Sequence, residues 1–288
     1  MDNRWVIGAR PPTLAASVAP VVVGTAAAAG AGDVVLWRAV AALVVALSVQ
    51  VGTNYVNDAA DGERGTDSHR VGPVRLVASG LATASEVKRA AVAAFGVAAV
   101  AGLALTFAVG PELIPVGAAS IAAGWAYTAG PRPYGYAGLG EVFVFVFFGL
   151  VATVGSAYVH LDAITALAVL AAVPVGLLST ALIVVNNLRD IDTDRLVGKN
   201  TLAVRWGAPR TRRLYLRLVS GALLLTLPLA VIRPGALVAL AATAAAWRPA
   251  QQIVGRVEGR ALISVLAGTA RLGAVHGLLL GAGLWLSA

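Results

Sequence analysis

Apolar runs of about twenty residues recur along this chain, and short polar segments separate them. A run of about 20 apolar residues is long enough to cross the hydrocarbon core of a bilayer as a helix. The pattern predicts nine spans, at residues 13–32, 36–56, 90–110, 112–130, 139–160, 163–187, 214–232, 235–247 and 261–286. The eighth is the shortest, and a helix of that length covers only about 20 Å. We therefore expect it to be tilted, extended into its flanks or re-entrant.

Composition agrees with a membrane protein, because 58% of the 288 residues are hydrophobic and only 12% are charged. Soluble globular chains carry about a quarter charged residues. We expect an all-α fold, a polytopic membrane helical bundle of about nine transmembrane helices around a central cavity that faces the cytoplasm. Residues 1–288 are expected to form one integral-membrane domain. The absence of cysteine excludes disulfides, thiolate metal ligands and cysteine nucleophiles.

The positive charges are distributed unevenly between the predicted loops. The N-terminus and loops 57–89, 131–138, 188–213 and 248–260 hold 18 of the 22 Lys and Arg residues. Under the positive-inside rule these segments lie in the cytoplasm, with the C-terminus outside if there are nine spans. The net charge of +8 is therefore explained without nucleic-acid binding. Frequent alanine, and arginine in excess of lysine, are typical of a GC-rich bacterium, so we predict a multi-pass protein of the bacterial plasma membrane.

The two longest of these loops carry a repeated polar pattern. "NYVNDAADGERGTD" begins at Asn54, and "NNLRDIDTDRLVGKNTLAVRWG" begins at residue 186. Measured from the first residue of each set, the positions 0, 3, 7 and 11 hold the following residues: Asn54, Asn57, Asp61 and Gly65 in the first loop, and Asn187, Asp190, Asp194 and Gly198 in the second. Steps of three and four keep side chains on one helical face, and each glycine stands where a helix could end.

Such oxygen-bearing stripes are typical of magnesium sites. Mg²⁺ takes one or two carboxylates together with phosphate oxygens and waters. Asp58 and Asp61 lie one turn apart, as do Asp190 and Asp194. Two facing stripes could hold two Mg²⁺ ions with a diphosphate between them.

Cations near the stripes fit the same anionic ligand. Arginine matches phosphate oxygens bidentately, whereas lysine acts as a point charge. We expect phosphate-binding cations among Arg64, Arg75, Arg189, Lys199 and Arg205. The segment "YTAGPRPYGYAGLGE" offers a third wall of the site, with Tyr127, Arg132, Tyr134 and Glu141. Its alternative interpretation is an interfacial aromatic belt with a Pro/Gly turn. The stretch "FVFVFF" that follows at 143–148 fits lipid-facing packing or the lining of an apolar channel.

These motifs resemble the two aspartate-rich motifs of the UbiA-type intramembrane prenyltransferases. The segments "GPVRLVASG", "YTAGPRPYGYAGLGE" and "GKNTLAVRWG" resemble the menaquinone (MenA-type) branch of that family. The resemblance implies two Mg²⁺ ions bridging the diphosphate of a polyprenyl donor. Asn57, Asp58 and Asp61 match the first motif, with Asp67 an outlying member, and Asp190 and Asp194 match the second. Lys199 and Arg205 match the basic part of the second motif, and Arg132 stands where relatives often carry a lysine.

The implied reaction is prenyl transfer from a polyprenyl diphosphate to 1,4-dihydroxy-2-naphthoate, with loss of carbon dioxide. Glu141 and Asp67 are the candidate proton acceptors. Within the same family the acceptor could instead be 4-hydroxybenzoate, homogentisate, a haem or a lipid alcohol. From another class, a divalent-cation transporter with an acidic entry site remains open. A transporter is expected to carry polar residues in mid-membrane on several helices, whereas the mid-spans here are rich in Ala, Val and Leu.

Overall fold

The chain folds as a helical bundle in a computed structural model that describes residues 3–66, 72 and 74–288. Within these residues there is no named strand, and the only bridge pairs Ala29 with Gly32. The α-helices of six or more residues are α1 (Arg4–Ala9), α2 (Pro11–Ala28), α3 (Leu36–Glu63), α4 (Ala84–Ala108), α5 (Leu113–Ala126), α6 (Gly140–Leu161), α7 (Ala166–Arg189), α8 (Ile191–Leu196), α9 (Leu202–Leu224), α10 (Thr243–Val254) and α11 (Leu262–Leu286).

Among the described residues, seven helices are long and apolar enough to cross a membrane by length and composition. The other two predicted spans are also helical in the described chain. The first of them is α5, which has only 14 residues. The segment predicted at 235–247 is a 3₁₀ helix over Pro234–Ala242 that continues into α10. The all-α membrane fold is confirmed, and the count of nine spans stays a prediction.

Several helices extend beyond the predicted spans. Helix α3 continues to Glu63 and so includes the first polar stripe. Helix α4 begins early because Thr83 and Glu86 form a capping box. Helix α9 begins at Leu202 inside predicted loop 188–213, and Gly207 interrupts it with φ of +72° just before Pro209. Much of the chain predicted as loop at this end of the bundle is therefore helical.

Small residues let the helices approach closely. In membranes, helix association depends on such packing because lipid is as apolar as the helix surface. Gly24 of α2 faces the Thr153 carbonyl oxygen of α6. Gly283 of α11 lies against the backbone of Gly235. Gly149, within the π-helical segment Phe145–Val151 of α6, lies against Gly176 of α7.

Replacing Gly24 by alanine should lower thermal stability. A Cβ at this position overlaps the Thr153 carbonyl oxygen, so α2 and α6 must separate. Overpacking of this kind costs about 1–3 kcal/mol. The measurement is the unfolding temperature in detergent. Gly96→Ala is the control, because a Cβ there meets no described atom within 4 Å; equal unfolding temperatures for the two variants contradict the packing argument.

The helices surround an elongated cavity of about 310 Å³. Helices α2, α3, α5, α6 and α7 supply most of its lining. We call the end near Asp61 and Lys199 the polar end, and the end near Val21, Leu105 and Val159 the apolar end.

Candidate active site

One face of α3 forms the most continuous wall of the cavity. Its residues recur at helical spacing, and their chemistry changes along the helix. From the polar end the lining residues on this face are Asp61, Asn57, Asn54, Thr53 and Gln50, and then Val49, Ala46, Val45 and Ala42. The wall therefore presents oxygen- and amide-bearing groups at one end and only aliphatic groups at the other. An amphiphile with a charged head and an apolar tail fits such a face.

The two polar stripes end in the same backbone structure. Gly65 and Gly198 both adopt left-handed φ values, +69° and +71°. After each glycine the next amide returns to the aspartate carbonyl of its stripe. Thr66 N–H donates to the Asp61 carbonyl at 3.0 Å, and Lys199 N–H donates to that of Asp194 at 2.9 Å. This 6→1 bond is typical of a glycine-terminated helix end. The predicted repeat is thus visible in the backbone, although Asp190 interrupts the second stripe between α7 and α8.

The two stripes meet at Lys199. Its ammonium lies 4.0 Å from Asp61 Oδ2 and 3.7 Å from Asp194 Oδ1. Arg75 adds a second cation, 4.0 Å from Asp61 Oδ2. Both carboxylates are buried. The structure therefore brings together Asp61, Asp194, Lys199 and Arg75, which the sequence assigns to one site.

Tyr136 belongs to this cluster, and sequence reasoning missed it. Its hydroxyl donates to Asp61 Oδ1 at 2.8 Å. Its ring lies under the cations of Arg64 and Lys199, each 5.1 Å from the centroid. Burial, together with the Asp61 charge and hydrogen bond, raises the pKa of Tyr136 to about 12, so the phenol remains a donor at neutral pH. The sequence signal for Tyr136 is its position in the segment "YTAGPRPYGYAGLGE", which is predicted to contribute Tyr127 and Tyr134 to the site.

The loop after the first motif is fixed by Asp58. This carboxylate is fully buried. Its Oδ2 accepts the Leu76 N–H at 2.8 Å, and its Oδ1 accepts the Val77 N–H at 3.0 Å. Arg75 immediately precedes these amides. The geometry thus links Asp58 to the placement of Arg75, and Asp58 does not line the cavity.

The charge of Asp190 is matched by its neighbour in sequence. Arg189 donates to Asp190 Oδ1 and Oδ2, both at 2.7 Å, and to Asn186 Oδ1 at 2.9 Å. The guanidinium is buried with the carboxylate. Asn186 lines the cavity. Arg189, predicted as a diphosphate ligand, therefore forms a bidentate pair with Asp190.

Glu141 and Asn187 form a separate buried pair. Asn187 Nδ2 donates to Glu141 Oε1 at 3.0 Å. Glu141 Oε2 is buried and has no hydrogen-bond partner among the described residues. The sequence offset selected Asn187 from the Asn-Asn doublet, but it is Asn186 that lines the cavity.

Other predicted residues form hydrogen bonds that hold the segments around the site in place. Arg64 donates to the carbonyls of Thr128 and Gly130, and Thr128 donates to Asn57 Oδ1 at 2.6 Å. The Asn54 side chain donates hydrogen bonds to the Ala9 carbonyl and the Thr13 hydroxyl, and it accepts one from the Gln50 side chain. Tyr127 lines the cavity. Tyr134 also lines it, and its hydroxyl donates to the Ala123 carbonyl at 2.8 Å.

Three further predicted residues are Arg132, Arg205 and Asp67. Arg132 and Arg205 are exposed, and Arg205 Nε donates to the Asn200 carbonyl at 3.2 Å. Asp67 lies outside the described residues. Conversely, Arg10 and Thr13 of the N-terminal segment line the cavity without having been predicted.

The donor set suits a metal bound together with a phosphate. Within the described chain no group of three or more His, Cys, Asp and Glu side chains is arranged to hold a metal ion. Mg²⁺ needs only one or two carboxylates when phosphate oxygens and waters complete its shell. Asp61 and Asp194 flank a cationic group, Lys199, and Asn57 adds an amide oxygen on the same cavity wall. The site therefore already favours positive charge between the two carboxylates.

Comparisons with known proteins identify relatives of a single family. The model of the UbiA prenyltransferase family matches residues 17–285. The 1,4-dihydroxy-2-naphthoate octaprenyltransferase of Mycobacterium tuberculosis is 49% identical over 266 residues, 92% of this chain and 91% of that protein. The enzyme of the same name from Escherichia coli is 40% identical over 77% of this chain and 74% of its own length.

A solved structure shares the fold. A UbiA homolog from Archaeoglobus fulgidus bound to GPP and Mg²⁺ superposes with a TM-score of 0.67. The alignment covers 97% of this chain and 100% of that chain at 15% sequence identity.

Proposed function

The chain belongs to the UbiA prenyltransferase family, and we propose that it transfers a polyprenyl group to 1,4-dihydroxy-2-naphthoate. The donor is a polyprenyl diphosphate, and the product belongs to menaquinone synthesis. The α3 wall carries the proposal, because its polar end suits a diphosphate and its apolar end suits a prenyl tail. The names of the relatives at 49% and 40% identity support the aromatic acceptor.

Asn57, Asp61, Asp190 and Asp194 would hold two Mg²⁺ ions, and Asp58, also predicted as a ligand, is reassigned to positioning. Bound there, Mg²⁺ neutralises charge on the diphosphate oxygens. Arg75 and Lys199 bind the same oxygens from the protein side, since both lie 4.0 Å from Asp61. Arg75 and Lys199 would stabilise the leaving diphosphate as its bond to the prenyl carbon breaks.

The remainder of the cavity protects and directs the reaction. Its aliphatic and aromatic lining, which includes Phe143, Phe147 and Phe148, excludes water from the allylic cation. The naphthoate attacks through the ring carbon that bears its carboxylate. That carboxylate leaves as carbon dioxide and returns its bonding electrons to the ring, giving demethylmenaquinol, the reduced form of demethylmenaquinone. No ring proton has to be removed, so Glu141 is not required as a ring base.

We further propose that the polar end faces the cytoplasm of a bacterial cell and that the bundle lies in the plasma membrane. The Lys and Arg distribution supports this orientation. Both substrates then reach the site from the cytoplasm and the inner leaflet.

The direct test supplies several aromatic acids side by side. Purified protein receives Mg²⁺, a polyprenyl diphosphate, and 1,4-dihydroxy-2-naphthoate, 4-hydroxybenzoate or homogentisate. We expect prenylated product, diphosphate and carbon dioxide with the naphthoate. Equal prenylation of another acid would contradict the proposal that 1,4-dihydroxy-2-naphthoate is the acceptor. A transporter predicts a different response, since diphosphate with Mg²⁺ should then raise the unfolding temperature no more than Mg²⁺ alone.

Tyr136→Phe should lower kcat/KM about tenfold, because it removes one hydrogen bond to a charged group, worth about 1.5–3 kcal/mol. The ring under Arg64 and Lys199 is retained. The measurement is steady-state kinetics, with Tyr134→Phe as control because its hydroxyl donates to the backbone carbonyl of Ala123 and, among the described residues, to no carboxylate. Unchanged kinetics in Tyr136→Phe contradict a role in holding Asp61.

A further inference from the structure

The positive charge of the chain is concentrated in its C-terminal third. From residue 195 to the end the sequence contains 12 Lys and Arg residues but a single acid, Glu258. The carboxylate of Glu258 lies 3.7 Å from the buried Arg212 guanidinium. Arginines of this third that point outward must therefore find their counter-charge elsewhere.

Helix α9 presents three of these arginines on one outward face. Arg210, Arg213 and Arg217 are separated by steps of three and four residues, which place them on one side of the helix. All three are exposed. Within the described part of the chain, none of their guanidinium groups forms an ion pair or a hydrogen bond. We call these three residues the α9 arginine stripe.

The inner face of α9 is fixed to the bundle, and this determines where the stripe points. Arg212 donates to the carbonyls of Ile253, in the last turn of α10, at 3.5 Å and of Val257, just after α10, at 2.8 Å. The Tyr215 hydroxyl lies 2.8 Å from the Thr269 hydroxyl of α11. Arg212 and Tyr215 are both buried. Because these contacts fix the rotation of α9, the stripe faces away from the bundle.

The stripe crosses the predicted membrane boundary of α9. The apolar run places the start of the span at residue 214. Arg213 precedes this point, whereas Arg217 lies inside the span, about 6 Å further along the helix. The outer surface beyond Arg217 is apolar and includes Leu224, which is 62% exposed. A lipid-facing arginine inside a span is costly unless its long side chain extends back to the interface or meets an anion.

The chemistry of the stripe matches the headgroup of an anionic phospholipid. Arginine binds phosphate oxygens bidentately, and clusters of Lys and Arg beside a membrane span are typical of sites for anionic lipids. The apolar surface that follows the stripe suits the acyl chains of the same lipid. The positive-inside rule explains an excess of cations in loops, but it requires neither a single helical face nor an arginine inside the span.

We propose that the α9 arginine stripe binds the headgroup of an anionic phospholipid of the surrounding bilayer. The acyl chains of that lipid lie along the apolar part of α9. None of the three arginines lines the central cavity, so this site is separate from the one proposed for the prenyl donor. The lipid phosphate supplies the counter-charge that the C-terminal third lacks, and it thereby stabilises α9 at the membrane surface.

The first test measures stability in mixed lipid–detergent micelles. The wild type should unfold at a temperature several degrees higher with phosphatidylglycerol, which is anionic, than with phosphatidylcholine, which has no net charge. Arg213→Gln/Arg217→Gln should lose most of this difference. Its unfolding temperature in phosphatidylcholine should equal that of the wild type, because both side chains are exposed. The absence of a phosphatidylglycerol effect in the wild type would overturn the proposal.

The matched control removes the same charge from other helices. Arg89→Gln/Arg195→Gln changes two exposed arginines of α4 and α8, each of which follows an acid by one helical turn, at Glu86 and Asp192. Arg195 lies 3.8 Å from Asp192. This variant should keep the full difference between the two lipids. An equal loss in the two double variants would show that net charge alone is responsible, and would overturn a site on α9.

A second test measures binding and distinguishes a lipid from a free anion. Fluorescent phosphatidylglycerol is titrated into the detergent-purified protein, and Arg213→Gln/Arg217→Gln should raise its Kd about tenfold or more. Inorganic phosphate at millimolar concentration should not displace the lipid. Displacement by phosphate, or an unchanged Kd in the variant, would overturn the lipid site. The assay contains neither a prenyl donor nor an aromatic acid, so its outcome is independent of the proposed function.

Discussion

Asp61→Asn should reduce prenyl transfer by about a thousandfold or more. The substitution keeps the size of the side chain and removes its charge. Asp61 accepts from Tyr136 at 2.8 Å and lies 4.0 Å from both Arg75 and Lys199. When the charge of Asp61 is removed, Arg75 and Lys199 remain but the site has lost one carboxylate. Its affinity for Mg²⁺ therefore falls, while its affinity for phosphate is retained. Removal of a preorganised electrostatic group of this kind costs about 10²–10³ in kcat, and the loss of a metal ligand adds to that.

The measurement is kcat/KM at several Mg²⁺ concentrations. Asp192→Asn is the matched control, because it lies in the second motif but its side chain is 95% exposed and forms a surface pair with Arg195. Surface pairs contribute about 0–1 kcal/mol, so this variant should remain near wild type. Comparable activity in the two variants would contradict a role for Asp61 in the active site.

The sequence predicted the larger features of this site well. Spacing of three and four residues placed Asn57 and Asp61 on one face of α3, and the structure confirms that this face lines the cavity. The glycines at 65 and 198 predicted the helix ends that the backbone shows. Local rules suffice for these features, because they depend on helix periodicity and on the freedom of glycine at positive φ. The UbiA family was predicted from the same motifs and is confirmed.

What the sequence could not determine depends on contacts between distant segments. Asp58 and Asp61 lie one turn apart, so periodicity assigned both to the metal site. The amides of Leu76 and Val77 reach Asp58 from a loop 18 and 19 residues away. Tyr136 reaches Asp61 across 75 residues. The Asn-Asn doublet was ambiguous for a related reason, because a small change in helix rotation decides which residue faces the cavity.

Asp58→Asn should reduce both stability and activity, and this separates a positioning residue from a metal ligand. Asparagine replaces one accepting oxygen by an NH₂ group that faces a backbone N–H. A buried donor left without an acceptor costs about 1–3 kcal/mol. The loop carrying Arg75 then shifts from Asp61, so we expect activity to fall by about a hundredfold, since misplacement of about 1 Å has this effect.

The decisive measurement is the unfolding temperature without any metal. If Asp58 holds the loop through the Leu76 and Val77 amides, it is needed in the metal-free protein as well. Without metal, Asp58→Asn should then unfold at a temperature several degrees lower than the wild type, and excess Mg²⁺ should not restore activity. A metal ligand predicts the reverse, because removing a buried carboxylate does not weaken the metal-free fold and added Mg²⁺ compensates for reduced affinity. Wild-type stability without metal, combined with rescue by Mg²⁺, would return Asp58 to the metal site. Asp61→Asn provides the comparison within the same helix, since its effect should depend on Mg²⁺.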